Sequence, residues 1–91
     1  MDLQLKGKKA FISGSTQGIG YAIAQQLAQE GASVVINGRT MEKTQKITNQ
    51  LKKQYPNAQI SGIAADFSNK EEVYSLLDQL ENIDILINNL G

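Results

Sequence analysis

The sequence predicts an α/β fold in which a parallel sheet is covered by helices on both faces, and three observations carry that prediction. Short apolar runs alternate with longer segments whose apolar residues recur every three or four positions, which is the β-α-β-α-β-α-β pattern of crossover-connected strands. The short runs are continuously apolar instead of alternating, so each is expected to be buried on both faces, as strands of a parallel sheet are. A glycine-rich stretch, Ser13 to Gly20, joins the first run to the first helix-periodic segment. That junction is where such sheets place a phosphate-binding turn.

Taken in order, Lys8 to Ser13 is the first strand, with Ala10, Phe11 and Ile12 as its apolar run and Gly14 ending it. Ile19 to Glu30 follows as an amphipathic helix with Ile19, Ala22, Ile23 and Leu27 on its apolar stripe and Gly31 placed as a C-terminal cap. Val34 to Ile36 forms a second buried strand that ends at Asn37 and Gly38. Thr40 is positioned to cap a second helix, whose stripe is Met41, Thr44, Ile47, Leu51 and Tyr55 and whose stop is Pro56. Gln59 to Ala65 is a third strand despite Gly62, and it delivers the chain to Asp66. Ser68-Asn69-Lys70-Glu71 has the pattern of a capping box, opening a helix with Val73, Leu76, Leu77 and Leu80 on one face. Ile83 to Ile87 is the fourth strand. Right-handed crossovers between these strands follow from the general chirality of parallel connections.

Length and composition narrow the function. The 91 residues hold one small domain, which buries only about 60 to 65% of its unfolded surface and is marginal by itself. Lys and Arg balance Asp and Glu at nine each; eight of the basic residues lie at or before Lys53 and six of the acids after it. No basic run forms and aromatics make up 5%, so nucleic acid is not the expected partner. The absence of cysteine removes disulfides and thiolate metal sites, and the absence of histidine removes the commonest catalytic base and zinc ligand. No apolar run approaches the roughly 20 residues needed to span a bilayer, and the N-terminus lacks a signal-type apolar core. A soluble cytoplasmic chain without a membrane partner is the expectation. The last strand ends almost at the final residue with no helix after it, so one edge and face of an apolar parallel strand are left without a partner. The chain reads as a fragment.

The Ser13 to Gly20 stretch reads as a phosphate cradle. Gly14, Gly18 and Gly20 remove side chains where the backbone turns and approaches a ligand, Ser15 and Thr16 add small hydroxyls, and the following helix aims unpaired N–H groups at an anion. Strand ends on one edge of a parallel sheet line a single crevice, so Gly14, Arg39, Asp66 and Asn89 are expected to converge. Position 38 is glycine where a carboxylate would accept bonds from ribose hydroxyls, and the Arg39 that follows favours a 2′-phosphate. Blander readings stay open: Arg39 as a solvated strand end, Asp66 as a cap for the helix near Asn69, and Asn88 and Asn89 as partners for the open ends of the sheet.

Ser13-Gly14-Ser15-Thr16-Gln17-Gly18-Ile19-Gly20 resembles the cofactor loop of the short-chain dehydrogenase/reductase family, with glycines spaced Gly-x-x-x-Gly-x-Gly and Ser13 where Thr is more usual. Asn37-Gly38-Arg39, Asp66 and Asn88-Asn89-Leu90-Gly91 stand at the other places that family uses, so the resemblance covers the whole chain. It implies a Rossmann-type doubly wound sheet of about four strands in the order 3-2-1-4, with residues 1–91 as a partial dinucleotide-binding domain. It implies a cofactor site at Gly14, Ser15, Thr16, Gln17, Gly18, Ile19, Gly20, Arg39, Asp66, Phe67, Asn89 and Gly91. Within that site Asp66 and the Phe67 backbone would meet the adenine, Asn89 the adenosine ribose, and Gly91 the cofactor. The resemblance further implies NADP in preference to NAD, although Gln17 is not the second basic group often found in the loop, and Leu90 replaces the usual Ala.

Full-length members of the family use a Ser and a Tyr-x-x-x-Lys pair, Tyr as general acid/base and Lys lowering its pKa. In this sequence Tyr21, Tyr55 and Tyr74 are followed four residues later by Gln25, Gln59 and Asp78. The expected chain is therefore the cofactor-binding half of an oxidoreductase acting on a small-molecule carbonyl or alcohol, inactive by itself, and a homo-oligomer. Two other functions fit the same residues: a non-catalytic nucleotide-binding or regulatory module, and a structural assembly unit joined through the edge at Ile85 to Ile87.

Overall fold

A computed structural model describes residues 6–66, 68–80 and 82–87. Four strands and three helices alternate along the chain: β1 (Lys9–Ile12), α1 (Gly18–Gln29), β2 (Ser33–Gly38), α2 (Met41–Gln54), β3 (Ile60–Ala64), α3 (Lys70–Gln79) and β4 (Ile85–Ile87). The strands form one parallel sheet in the order β3-β2-β1-β4. In its register Phe11 lies opposite Val35 on one side and Leu86 on the other. The order 3-2-1-4 is the one the family resemblance implies; β1, β3 and β4 are shorter than the expected strands, and β2 is longer, running from Ser33 to Gly38 instead of from Val34 to Ile36.

The continuous apolarity of β1 and β2 serves two separate cores. Ala10, Ile12, Val34 and Ile36 face one side and pack with Ala24 and Leu27 of α1 and Leu51 of α2. Phe11 and Val35 face the other side with Ala65 and Leu76 of α3. Alternate residues of one strand point to opposite faces, so a run buried on both must be apolar at every position. At the edge, Leu86 of β4 remains 69% exposed.

The helix faces differ from the sequence expectation in an instructive way. In α1 the buried residues are Gly20, Ala24, Leu27 and Ala28, whereas Ile19 is 73% exposed and Ala22 is also exposed. Gly20, Ala24 and Ala28 share the buried face with the expected Leu27, and Ile23 is half-buried against the same core. In α2 the buried residues are Thr44, Thr48 and Leu51, while Met41 is exposed and Ile47 and Tyr55 are half-buried. The threonines tolerate burial because each hydroxyl donates to the carbonyl four residues back, Thr44 to Thr40 at 2.6 Å and Thr48 to Thr44 at 2.8 Å.

The same threonines explain Gly62. A Cβ there would fall 2.5 Å from Thr48 Oγ1 and 2.8 Å from Thr44 Cγ2, so the glycine in β3 is the place where α2 meets the sheet backbone. In α3, Leu76 is buried and Val73 and Leu80 are half-buried; Leu77 lies outside the described side chains. The cap of this helix is Asn69 in place of the expected Ser68 box: its Oδ1 accepts from the N–H groups of Glu71 and Glu72 at 3.0 and 3.4 Å. Gly31 follows α1 with φ 93°. There Ala32 N–H donates to Leu27 O and Gly31 N–H to Ala28 O, a Schellman closure.

Candidate functional site

The loop between β1 and α1 is built on Asn37. This side chain is 2% exposed; its Oδ1 accepts from Gly14 N–H at 3.0 Å and its Nδ2 donates to Ile63 O at 3.1 Å. Its backbone is tied as well, since Asn37 N–H donates to Ser15 Oγ at 2.8 Å and Ser15 N–H donates to Asn37 O at 2.8 Å. One residue at the end of β2 thus fixes the turn after β1 and the middle strand's other neighbour, β3. In the sequence Asn37 stands at the end of the second strand and within the family-like Asn37-Gly38-Arg39, without a role of its own; the signal for this role is a polar residue closing an otherwise apolar run.

Gly14 and Gly18 adopt φ of 58° and 65°, the left-handed region that side chains rarely occupy. Their turn brings Gln17 to the start of α1 in an extended conformation, with no side chain capping the helix and no acid in its first turn. By contrast, Thr40 caps α2 by accepting from Lys43 N–H at 3.2 Å, and Asn69 caps α3. The N–H groups opening α1 therefore remain available, with roughly half a positive charge concentrated there.

A cavity of ≈ 770 Å³ opens at this end of the sheet, lined by Gly14, Thr16 and Gln17 from the loop, Asn37 to Thr40 and Lys43 from the β2–α2 connection, and Ala65, Asp66 and Ser68 beyond β3. Its size suits a cofactor-sized ligand. Among the sequence-expected residues, Gly14, Thr16, Gln17, Arg39 and Asp66 come together here. Ser15 does not point its hydroxyl toward a ligand as expected; it is fully buried and its hydroxyl is spent on the backbone of Asn37. Gly18 and Ile19 lie exposed at the head of α1, and Gly20 is buried beneath it. Phe67, Asn89 and Gly91 lie outside the described residues, as do Asn88 and Leu90.

Gly38 is enclosed. A Cβ on it would stand 2.5 Å from Thr44 Oγ1 and 2.6 Å from Thr16 Cγ2, so the floor of the cavity at this point is backbone. Arg39, next in the chain, is exposed at the cavity. Asp66 has its carboxyl held below the ordinary aspartate range, first by the Ser68 backbone N–H and then by the Ser68 hydroxyl, against a small opposing effect of burial and with a last contribution from the Arg39 charge. Both Ser68 bonds reach Asp66 Oδ1, at 3.0 and 2.7 Å. Asp66 thus orders the turn before α3 and does not cap that helix. Among the described residues no cluster of acidic side chains could hold a metal, and no helix is long and apolar enough to cross a membrane.

A parallel sheet in the order β3-β2-β1-β4, with a glycine turn and an open helix end at its carboxyl edge, is a Rossmann-type α/β fold. The chain belongs to the short chain dehydrogenase family, whose family model matches residues 8–91. It is 46% identical over its whole length to an uncharacterized oxidoreductase, YvaG, of Bacillus subtilis, covering 34% of that protein. It is 36% identical to the 3-oxoacyl-[acyl-carrier-protein] reductase FabG of Aquifex aeolicus, covering 38% of it. Among solved structures, L-sorbose reductase from Gluconobacter frateurii, complexed with NADPH and L-sorbose, superimposes on all of this chain with a TM-score of 0.88 and 34% identity; the chain covers 36% of it. The chain spans about a third of the length of the curated relatives it matches.

Proposed function

We propose that residues 1–91 are the cofactor-binding part of an NADP(H)-dependent oxidoreductase that transfers hydride between the nicotinamide and a carbonyl or alcohol. The observation that carries this reading is the crevice itself: an uncapped α1 terminus beside Gly14 and Gly18, with Arg39 at the same cavity and no room for an acid at Gly38. The Gly14–Gly18 turn takes the pyrophosphate against the α1 N–H groups. Arg39 takes the 2′-phosphate, and the side-chain-free Gly38 leaves the ribose edge without a repelling carboxylate. The NADPH complex of L-sorbose reductase supports the same cofactor. Phe67, Asn89 and Gly91 complete the adenosine side of the site in this reading. Bound nicotinamide supplies the hydride donor or acceptor, and the general acid/base is carried by sequence other than these 91 residues, which hold no Tyr-x-x-x-Lys.

A cytoplasmic location and homo-oligomeric assembly belong to the same proposal. Titration of NADP and NAD by calorimetry tests the cofactor assignment: tighter binding of NADP, abolished as a preference by Arg39→Ala, is expected, and a preference for NAD would refute it. Carbonyl reduction by the 91-residue chain above background in a spectrophotometric NADPH assay would refute the assignment of catalysis to other sequence.

A further inference from the structure

The β2–α2 connection carries a second cation at the crevice. Thr40 fixes the first turn of α2 by accepting from Lys43 N–H, and from that backbone position the Lys43 side chain crosses to the β1–α1 loop, where Nζ donates to Gln17 Oε1 at 3.2 Å. Twenty-six residues separate the two in sequence, yet both line the cavity that holds Arg39. The ammonium is thus partnered by a neutral amide oxygen. The carboxylate among the lining residues, Asp66, already accepts twice from Ser68.

We propose that Lys43 forms, with Arg39, a two-cation clamp for the ribose 2′-phosphate, exchanging Gln17 Oε1 for a phosphate oxygen when the dinucleotide binds. The clamp rests on the NADP reading above. The bond to Gln17 Oε1 pairs the ammonium with a neutral dipole, whereas a phosphate oxygen pairs it with an opposite charge, so the exchange favours the bound state. Gln17 then acts as a holder that keeps a long, flexible side chain directed across the cavity before binding, which reduces the rotamer entropy lost on complex formation. The basic group lacking at position 17 is supplied from α2.

The test is the affinity of Lys43→Met, in the protein as expressed, for four probes: NADP, NAD, 2′,5′-ADP and 5′-ADP. The expected result is an about 5- to 20-fold loss for NADP and 2′,5′-ADP with NAD and 5′-ADP changed by less than about two-fold. Retention of NADP affinity by Lys43→Arg is expected in addition. The unchanged NAD affinity serves as the control for folding. Equal losses for 2′,5′-ADP and 5′-ADP would place Lys43 on the diphosphate and overturn the clamp. A protein that prefers NADP but is indifferent to Lys43→Met overturns the clamp alone; a parent protein with no preference for NADP overturns both the clamp and the cofactor assignment beneath it.

Discussion

Replacing Gly38 with alanine tests the packing that shapes the crevice floor. The added methyl would stand 2.5 Å from Thr44 Oγ1 and 2.6 Å from Thr16 Cγ2, both far inside van der Waals contact. Overpacking of this kind costs about 1–3 kcal/mol, while alanine in place of glycine in a strand regains about 0.5–1 kcal/mol of backbone entropy. The net expectation is a destabilisation of about 0.5–2 kcal/mol. Thr44 cannot simply swing away, because its hydroxyl is bonded to Thr40 O at 2.6 Å and the residue is 1% exposed. In a Thr16→Ser, Thr44→Ala background both obstructing atoms are gone, so the same Gly38→Ala change should become neutral or stabilising. Urea denaturation followed by circular dichroism measures the four corners of this cycle, with constant m-values as the check that only stability has changed. Additivity within about 0.3–0.5 kcal/mol would show that the contacts do not couple and would refute the reasoning. A functional corollary concerns cofactor choice: Gly38→Asp cannot place a carboxylate on the ribose unless Thr16 and Thr44 are trimmed with it.

Other changes probe the remaining supports of the site. Asn37→Ala removes the side-chain bonds to Gly14 N–H and Ile63 O and should cost about 1–3 kcal/mol at about 0.5–1.5 kcal/mol per hydrogen bond; no measurable loss in chemical denaturation would remove Asn37 as the hub. Thr40→Ala deletes the α2 cap and should cost about 1 kcal/mol, with a matching loss in melting temperature. Because the Asp66 carboxyl is lowered in the fold, its stabilisation is present above the ordinary aspartate pKa of about 3.9 and is lost as pH falls through the depressed folded value. In Ser68→Ala the hydroxyl bond disappears but the stronger backbone N–H contact stays, so a carboxyl titration by NMR should find Asp66 raised yet still below the ordinary value. An unshifted titration would mean the hydroxyl contributes nothing.

The alternation of strands and helices, the two-faced burial of β1 and β2 and the glycine turn after β1 were all legible in the sequence. Each is a local property: strand period and continuous apolarity reveal themselves within a few residues, and Gly14 and Gly18 occupy backbone conformations that only their own positions need explain. The helix faces were less legible. Of the expected α1 stripe, Leu27 is buried and Ile23 half-buried, but Ile19 and Ala22 are exposed, and Gly20, Ala24 and Ala28 fill the buried face instead. Likewise Gly62 read as an interruption of β3, although it is the contact point for Thr44 and Thr48.

By itself, then, the sequence determined the fold class and the position of the glycine turn, since hydrophobic period and glycine placement act through neighbouring residues, while the strand order 3-2-1-4 was implied by the family resemblance. Tertiary structure decided that Asn37 would hold the loop, that Ser15 would be buried against it, that Gly38 would admit no side chain and that Lys43 would reach Gln17. Those contacts join residues 22, 23 and 26 positions apart, and nothing local specifies them. They exist because a parallel sheet gathers distant strand ends along one edge, where each side chain meets partners that only the assembled layers provide.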